Sequence, residues 1–424
     1  LTSSQTYTAR RTGIADVICI GGGGQGGSSG NGNVGTTKLN LTGGGAGGYS
    51  RKRIPITAGD TFTVVVGAGG QASSTKLPGA GNLTAGSAGG ESTFDHASAT
   101  ANIALDSNGG GGGLANTTGT ASGATYAGGA GGTATGGDVN FTGGRGGTIT
   151  RSNNSSNVGC FTTGGGAVAV LGTAFNGGDV NFTSSGATTA ATGGAGIGGN
   201  GGNVAYDNGS GASQCASGGG SAGGEGNGFT SAHTSATTNP LTAFAKTDLV
   251  LGGGRLPSHG GNGISTNVST LCVAGNGGTG GLRAYQAGLG DGDFNSIFGG
   301  NEKPTEVIDS AVGPGSLFTS NAALYPQPTG PGGGGGGASG TAGNNHSNSV
   351  IAAGNGAAFA GGGGAASLVD NSEIANTSEN ISSSGRGGIG GGGSGGCYLG
   401  TNVSNATIEW ASGGDGVVII RYLG

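Results

Sequence analysis

Asp291, Asp293, Asn295 and Glu302 place side-chain oxygens at positions 1, 3, 5 and 12 of a twelve-residue stretch, the spacing of a calcium loop. Position 6 is Ser296 where the sharp turn calls for glycine, and no helical pattern flanks the stretch. A plain polar turn is therefore the default, and neither a metal nor a cofactor is expected. His96, His233, His259 and His346 are scattered through loop-like sequence, which suits solvated or structural roles. Gly-X-Ser-X-Gly occurs at Gly26–Gly30 and Gly392–Gly396, but a hydrolase elbow needs a strand–turn–helix setting that neither site has. No glycine precedes the Lys-Ser/Thr pair of a phosphate-binding loop. The acidic residues form no catalytic pair. The expectation is a protein that is not an enzyme.

Covalent chemistry is the more promising direction. Fourteen asparagines begin Asn-X-Ser/Thr: Asn40, Asn82, Asn116, Asn140, Asn153, Asn154, Asn181, Asn208, Asn267, Asn345, Asn376, Asn380, Asn402 and Asn405. Chance at this Ser/Thr content gives about half that number. The bland reading is a polar β surface rich in Asn and Thr; the sharper one is a glycan coat, which replaces surface charge as the solubilising layer. Of five cysteines, Cys19 lies within Val17-Ile18-Cys19-Ile20 and reads as a buried strand thiol. Cys160 and Cys215 sit in loop-like sequence and are the expected disulfide. Cys272 and Cys397 have no metal-ligand spacing to any other cysteine.

The framework that must hold these groups is glycine. It fills 112 of 424 positions and comes in runs, among them Gly21–Gly24, Gly109–Gly113, Gly332–Gly337 and Gly390–Gly393. Glycine loses the most backbone entropy on folding and buries no side chain. An ordered chain of this kind needs backbone packed on backbone. Collagen does this with strict Gly-X-Y and abundant proline; here there are 9 prolines and no period of three. Extended three-fold glycine segments, hydrogen-bonded to parallel neighbours, are the expected solution, because buried peptide groups must be paired.

β segments bracket the runs. Gln5–Ala9, Asp16–Ile20, Arg51–Ile56, Thr61–Val66, Ile408–Ala411 and Val417–Tyr422 read as strands. Thr57–Asp60 reads as a hairpin turn, and Gly413–Gly416 as another turn. Val417–Tyr422 is apolar on both faces, which predicts a central strand beside Asp16–Ile20. Gly136–Thr142 recurs as Gly177–Thr183, with an echo at Gly201–Tyr206, which predicts stacked layers that place Asn140 and Asn181 equivalently. The fold expected is all-β, a single glycine-rich domain over 1–424, with inserted loops or a cap at 239–260 and 301–331. Ser316–Tyr325 is the one helix candidate.

Thr6-Tyr7-Thr8, Asp16-Val17-Ile18-Cys19-Ile20-Gly21-Gly22-Gly23-Gly24, Gly44-Gly45-Ala46-Gly47-Gly48-Tyr49, Gly59–Gly70 and Gly414–Tyr422, in that order, resemble the glycine-rich domain of phage tail-fibre adhesins and microbial surface proteins. The resemblance implies packed polyglycine-II bundles with variable loops that bind host receptors.

Charged residues are 8 % of the chain and the net charge is −5, too dilute to imply a nucleic-acid or anionic-membrane partner. No apolar stretch approaches the ~20 residues of a membrane helix. Methionine is absent, so Leu1 reads as a processed start, most simply after removal of a secretory signal. The expected function is a structural subunit of an extracellular, N-glycosylated filament or coat that assembles head to tail, with Leu1–Arg11 reaching a neighbour. The alternatives are an adhesin, with Tyr49, Tyr206, Phe294 and Tyr325 as contact candidates, and an ice-binding protein. The threonines are too irregular for the last.

Overall fold

A computed structural model describes residues 1–31, 39–71, 82–98, 101–116, 124–151, 159–161, 164–166, 176–182, 187–190, 204–206, 213–216, 264–266, 271–273, 338–342, 350–352, 356, 362, 366–370, 380–383, 386–400, 406–409 and 412–423. The described residues contain strands and no helix, and the architecture is all-β. The helix candidate Ser316–Tyr325 and the segments 239–260 and 301–331 lie outside them.

Two antiparallel sheets form a sandwich at one end. In the first, Gly13–Ile20 pairs with Tyr49–Ile56 on one side and Val417–Tyr422 on the other, and Val139–Phe141 extends it beyond Tyr49–Ile56. In the second the order is Gln5–Thr8, Thr61–Val65, Ser92–Ser98, Ala101–Ser107, Ala134–Thr135. Alternation sends Ala15, Val17, Cys19, Ile54 and Val418 from the first sheet against Phe62, Val64, Phe94 and Leu105 from the second. Phe62 and Phe94 stack at 4.6 Å at the centre of this core. Thr57–Asp60 is a turn, with Gly59 at φ +95°, but not a hairpin turn. It carries the chain from one sheet into the other, because Ile54, Ile56, Phe62 and Val64 all bury into the same interlayer core. Val417–Tyr422 lies beside Gly13–Ile20 as expected, yet it is an edge strand. Its second apolar face covers the bundle through Val417 and Ile419, which satisfies the pattern without a further strand.

Four further sheets stand at the other end. Two interleave along the chain. Ile149–Arg151, Val180–Phe182 and Val204–Tyr206 stack parallel in one. Gly159–Phe161, Ala187–Ala190 and Ser213–Ala216 stack parallel in its companion, together with Leu39–Leu41. Successive strands alternate between the two sheets, so each pass of the chain adds a layer, the growth rule of a solenoid. The second pair grows the same way: Ile264–Thr266, Ala338–Ala342, Ala366–Asp370 and Gly396–Gly400 alternate with Leu271–Val273, Val350–Ala352, Asn380–Ser383 and Ala406–Glu409. The second and third copies of the internal repeat stack in register, Val180 on Val204 and Phe182 on Tyr206. The first copy does not join them. Val139–Phe141 pairs antiparallel with Tyr49–Arg51 in the sandwich, so Asn140 and Asn181 are not equivalent.

The glycine segments bridge the two ends. Residues 21–27 run from Gly13–Ile20 to Ser28–Asn31; 42–48, 85–91, 108–114, 127–133, 142–148 and 412–416 likewise each join a far-sheet strand to a sandwich strand. Seven residues at the ~3.1 Å rise of a three-fold extended helix span about 22 Å. Hydrogen bonding has that three-fold period. Gly21, Gly24 and Gly27 donate to the Gly48, Gly45 and Thr42 carbonyls, in antiparallel order; Gly22 and Gln25 donate to Gly90 and Ser87, and Gly23 to Gly414. The same segment accepts from Gly110 and Gly113, from Gly70 and from Gly393, so neighbouring segments surround it on all sides. This is a polyglycine-II-like bundle. Its neighbours run both ways, not parallel alone: 108–114 is parallel to 21–27, whereas 42–48 and 85–91 are antiparallel. Three-fold symmetry aims donors in three directions whichever way a neighbour runs, so either sense satisfies the backbone. Residues 413–416 belong to this bundle and are not a turn.

Positive φ is confined to Gly13, Gly59, Gly136 and Gly390 among the described glycines. The bundle therefore uses glycine for its missing side chain. A Cβ on Gly23 would fall within 3 Å of the Gly391 backbone, and one on Gly44 within 3 Å of the Gly24 backbone.

Candidate functional site

Charged side chains at the junction of sandwich and bundle lock the framework. Asp16 alternates with Ile18 and Ile20 on the bundle-facing side of its strand and is almost fully buried. Burying a lone carboxylate is costly, so it needs a partner. Arg51 supplies one from the neighbouring strand, with Nε on Oδ1 and Nη2 on Oδ2, both at 2.8 Å. That bidentate contact raises the Arg51 pKa above its ordinary value.

A second fork joins Arg145 to Asp179 at 2.8 and 2.9 Å, and Asp179 also accepts from Thr148 N at 2.7 Å. Hydrogen bonding to Asp179 raises Arg145 as well. Asp179 is the aspartate of the second repeat copy. Its counterpart in the first, Asp138, faces the Arg53 amide at 3.4 Å instead. Arg151 is fully buried and donates from Nε to Asn40 Oδ1 at 2.6 Å, tying one far sheet to another.

The remaining candidates separate by burial. The His96 ring packs 4.6 Å from Phe62, a core-rim contact. Burial pushes the Cys19 thiol up, away from the thiolate form a nucleophile requires. Tyr49 is buried against Phe141 at 6.1 Å and belongs to the core, not to a contact surface. Tyr206 lies in a far-sheet strand; Phe294 and Tyr325 lie outside the described residues, as do His233, His259, His346 and the calcium-loop candidates Asp291, Asp293, Asn295 and Glu302. Among the described residues no three metal-ligating side chains converge.

Cys160 and Cys215 do not fit a disulfide. Both align with Thr189, which occupies the strand between them. Two strand spacings separate their Cα atoms by about 9.5 Å, beyond the ~7 Å a disulfide spans. The sequence pattern hides this because both residues stand in loop-like sequence, whereas both are in parallel strands.

The sequon asparagines divide. Asn40 is fully buried and holds Arg151, which removes it from the accessible acceptors of the folded chain. Asn140 is exposed and closes a turn, accepting from Gly137 N and donating to Gly137 O. Asn82, Asn116, Asn181 and Asn380 lie in far-sheet strands. Asn153, Asn154, Asn208, Asn267, Asn345, Asn376, Asn402 and Asn405 lie outside the described residues.

Leu1–Arg11 is not a free arm. Gln5–Thr8 pairs with Thr61–Val64, Leu1 exchanges both backbone hydrogen bonds with Val418, and the Tyr7 and Tyr422 hydroxyls meet at 2.7 Å. Arg11 lies over the Tyr422 ring at 4.5 Å. The two terminal segments close on each other within one chain, so Leu1–Arg11 does not extend toward a neighbour as its sequence suggests.

The model of one family, glycine-rich domain, matches residues 2–240, more than half of the chain. The chain belongs to the glycine-rich domain family. The matched part of this glycine-rich domain holds the sandwich strands except Val417–Tyr422, together with the bundle segments from 21–27 to 142–148. The match is to the glycine-rich framework and does not reach specifically to tail-fibre adhesins. A search of curated proteins finds no match to the chain.

Proposed function

We propose that the protein is a structural subunit of an extracellular filament or surface coat. The observation that supports this best is the bundle. Its segments hydrogen-bond to one another on every side and spend their side-chain positions on contact between backbones, which suits a stiff spacer and leaves few groups for chemistry. Two buried polar contacts serve the framework: Asp16 with Arg51 ties neighbouring strands of one sandwich sheet, and Arg151 with Asn40 ties two far sheets. Because Gln5–Thr8 is already paired within its own sheet, assembly by terminal strand exchange would require that pairing to open. Docking of intact subunits is the simpler route, and a heterologous contact of that kind propagates without closing.

Electron microscopy of concentrated native protein, with sedimentation, tests the proposal. Fibres or ordered sheets support it; a monomer at every concentration refutes it. The second reading is an adhesin, which the resemblance of the ordered glycine-rich motifs to tail-fibre domains suggests. Retention of a monomer on host cells or surface glycans, without self-assembly, would select it.

A further inference from the structure

The two outward faces of the sandwich carry opposite charge. On the first sheet, Ala15, Val17 and Cys19 turn to the interlayer core, so Ile14 and Asp16 turn outward, beyond the Ile18 and Ile20 rows that cover the bundle. Register sets Arg53 and Arg421 directly beside Asp16, one on each neighbouring strand. Arg51 already holds both Asp16 oxygens. Among the described residues neither Arg53 nor Arg421 has a carboxylate of its own. Three arginines thus share one aspartate, and the face is left net positive. Ile14 and Leu423, joined by a backbone hydrogen bond, add exposed apolar surface at its rim.

On the second sheet Phe62, Val64, Phe94 and Leu105 turn inward, which sends Thr61, Thr63, Asp95 and Asp106 outward. Asp95 and Asp106 are the charged residues at the outward positions of its strands; the rest are Thr, Ala, Val or Asn. The face is therefore flat and net negative. Burial and, after it, the charge of Asp106 raise the Asp95 pKa, as expected of a carboxylate beside another with no cation at hand.

We infer that subunits stack through these faces, the arginine face of one copy docking on the aspartate face of the next. This rests on the filament reading above. The charges match in spacing as well as in sign. Two strand spacings set Arg53 and Arg421 about 10 Å apart, and Asp95 and Asp106, diagonal neighbours on adjacent strands, stand about 8 Å apart. The long guanidinium arms take up the difference. Because the two faces lie on opposite sides of one sandwich, each docked copy presents a fresh face, and the contact propagates without closing. The stacking axis then crosses the sandwich layers, and the bundle projects sideways from it.

Sedimentation and electron microscopy of the full chain with one face reversed test this. Arg53→Glu with Arg421→Glu makes both faces acidic; Asp95→Lys with Asp106→Lys makes both basic. Each variant alone should need about a hundredfold more protein to form fibres, because like charges then meet across the contact. An equimolar mixture should recover assembly, since each variant supplies the sign the other lacks, and an unfolded chain could not be rescued in this way. The milder pair Arg53→Gln with Arg421→Gln should raise the required concentration about tenfold, and added salt should weaken assembly of the parent. Reversed variants that assemble like the parent overturn the contact and leave the filament standing. So does a mixture that fails to assemble although each variant unfolds cooperatively in denaturant. A parent that stays monomeric at every concentration removes the filament and this contact with it. If the glutamine pair loses retention on immobilised heparin and still assembles normally, the arginine face serves an anionic partner and the stacking contact is wrong.

Discussion

Gly89 and Gly90 are neighbours in one bundle segment, equal in composition and intrinsic propensity, yet alanine should affect them very differently. A Cβ on Gly89 would fall within 3 Å of the Gly22 carbonyl, which is already accepting from Gly110 N at 2.8 Å. Neither backbone can give way, since each is bonded to further segments. Seating the methyl means parting 85–91 from 21–27, which are held by Gly22 N on Gly90 O and Gln25 N on Ser87 O, both at 2.9 Å. Leaving the buried Gly22 and Gln25 amides unsatisfied, at about 1–3 kcal/mol each, costs roughly 2–6 kcal/mol. That is a large part of the ~5–15 kcal/mol that keeps a typical domain folded. A Cβ on Gly90 meets nothing nearer than 3.1 Å, at Ala68 N and Gly67 Cα. A shift of a few tenths of an ångström accommodates it, and the lower entropy of the unfolded chain offsets that by about 0.4–1 kcal/mol. Gly90→Ala should therefore stay within about 1 kcal/mol of the parent. Gly59→Ala is the conformational control: nothing lies within 4 Å, but φ is +95°, so about 1–2 kcal/mol of backbone strain is expected without any clash. Denaturant unfolding of the three variants measures the ranking. Equal stability of Gly89→Ala and Gly90→Ala would refute the claim that the bundle uses glycine for close backbone approach.

Asp16→Asn should destabilise the sandwich by about 1–3 kcal/mol, because it takes the carboxylate out of a bidentate pair whose Arg51 keeps some contact with solvent, and denaturant unfolding reads it directly. Burial and the hydrogen bond to Tyr422 push the Tyr7 hydroxyl up to about 12, so folding favours the protonated phenol. That contribution is intact below the ordinary tyrosine value near 10 and is lost as pH rises through about 12. Stability to denaturant should fall across that window, and Tyr7→Phe should remove this part of the fall. Cys19 should resist alkylation by iodoacetamide in the native protein and react on unfolding; rapid native labelling would contradict its burial. Non-reducing peptide mapping should recover Cys160 and Cys215 unlinked to each other, since a strand lies between them.

Local chemistry made much of the framework legible in the sequence. Glycine runs bracketed by β-branched segments leave few ordered solutions, because unpaired peptide groups cannot be buried and there are few side chains to bury in their place. The strands Gly13–Ile20, Tyr49–Ile56 and Thr61–Val65, and the pairing of the first with Val417–Tyr422, follow from alternation and β propensity. Pairing partners were less legible. Thr57–Asp60 has hairpin chemistry, yet it feeds two facing sheets, because what decides is which core Ile54 and Phe62 share. The repeats at Val139–Phe141 and Val180–Phe182 are nearly identical in sequence and lie in different sheets, placed by the segments that lead into them. Asn40 is a sequon to the eye and a buried partner of Arg151 in the fold, and Cys160 and Cys215 are separated by a strand whose place between them is a matter of register. That backbone packs on backbone follows from what glycine lacks and is readable from composition. Which segments meet, in which direction, and which polar groups are shut inside depend on contacts between residues far apart in the chain, and these emerge with the fold.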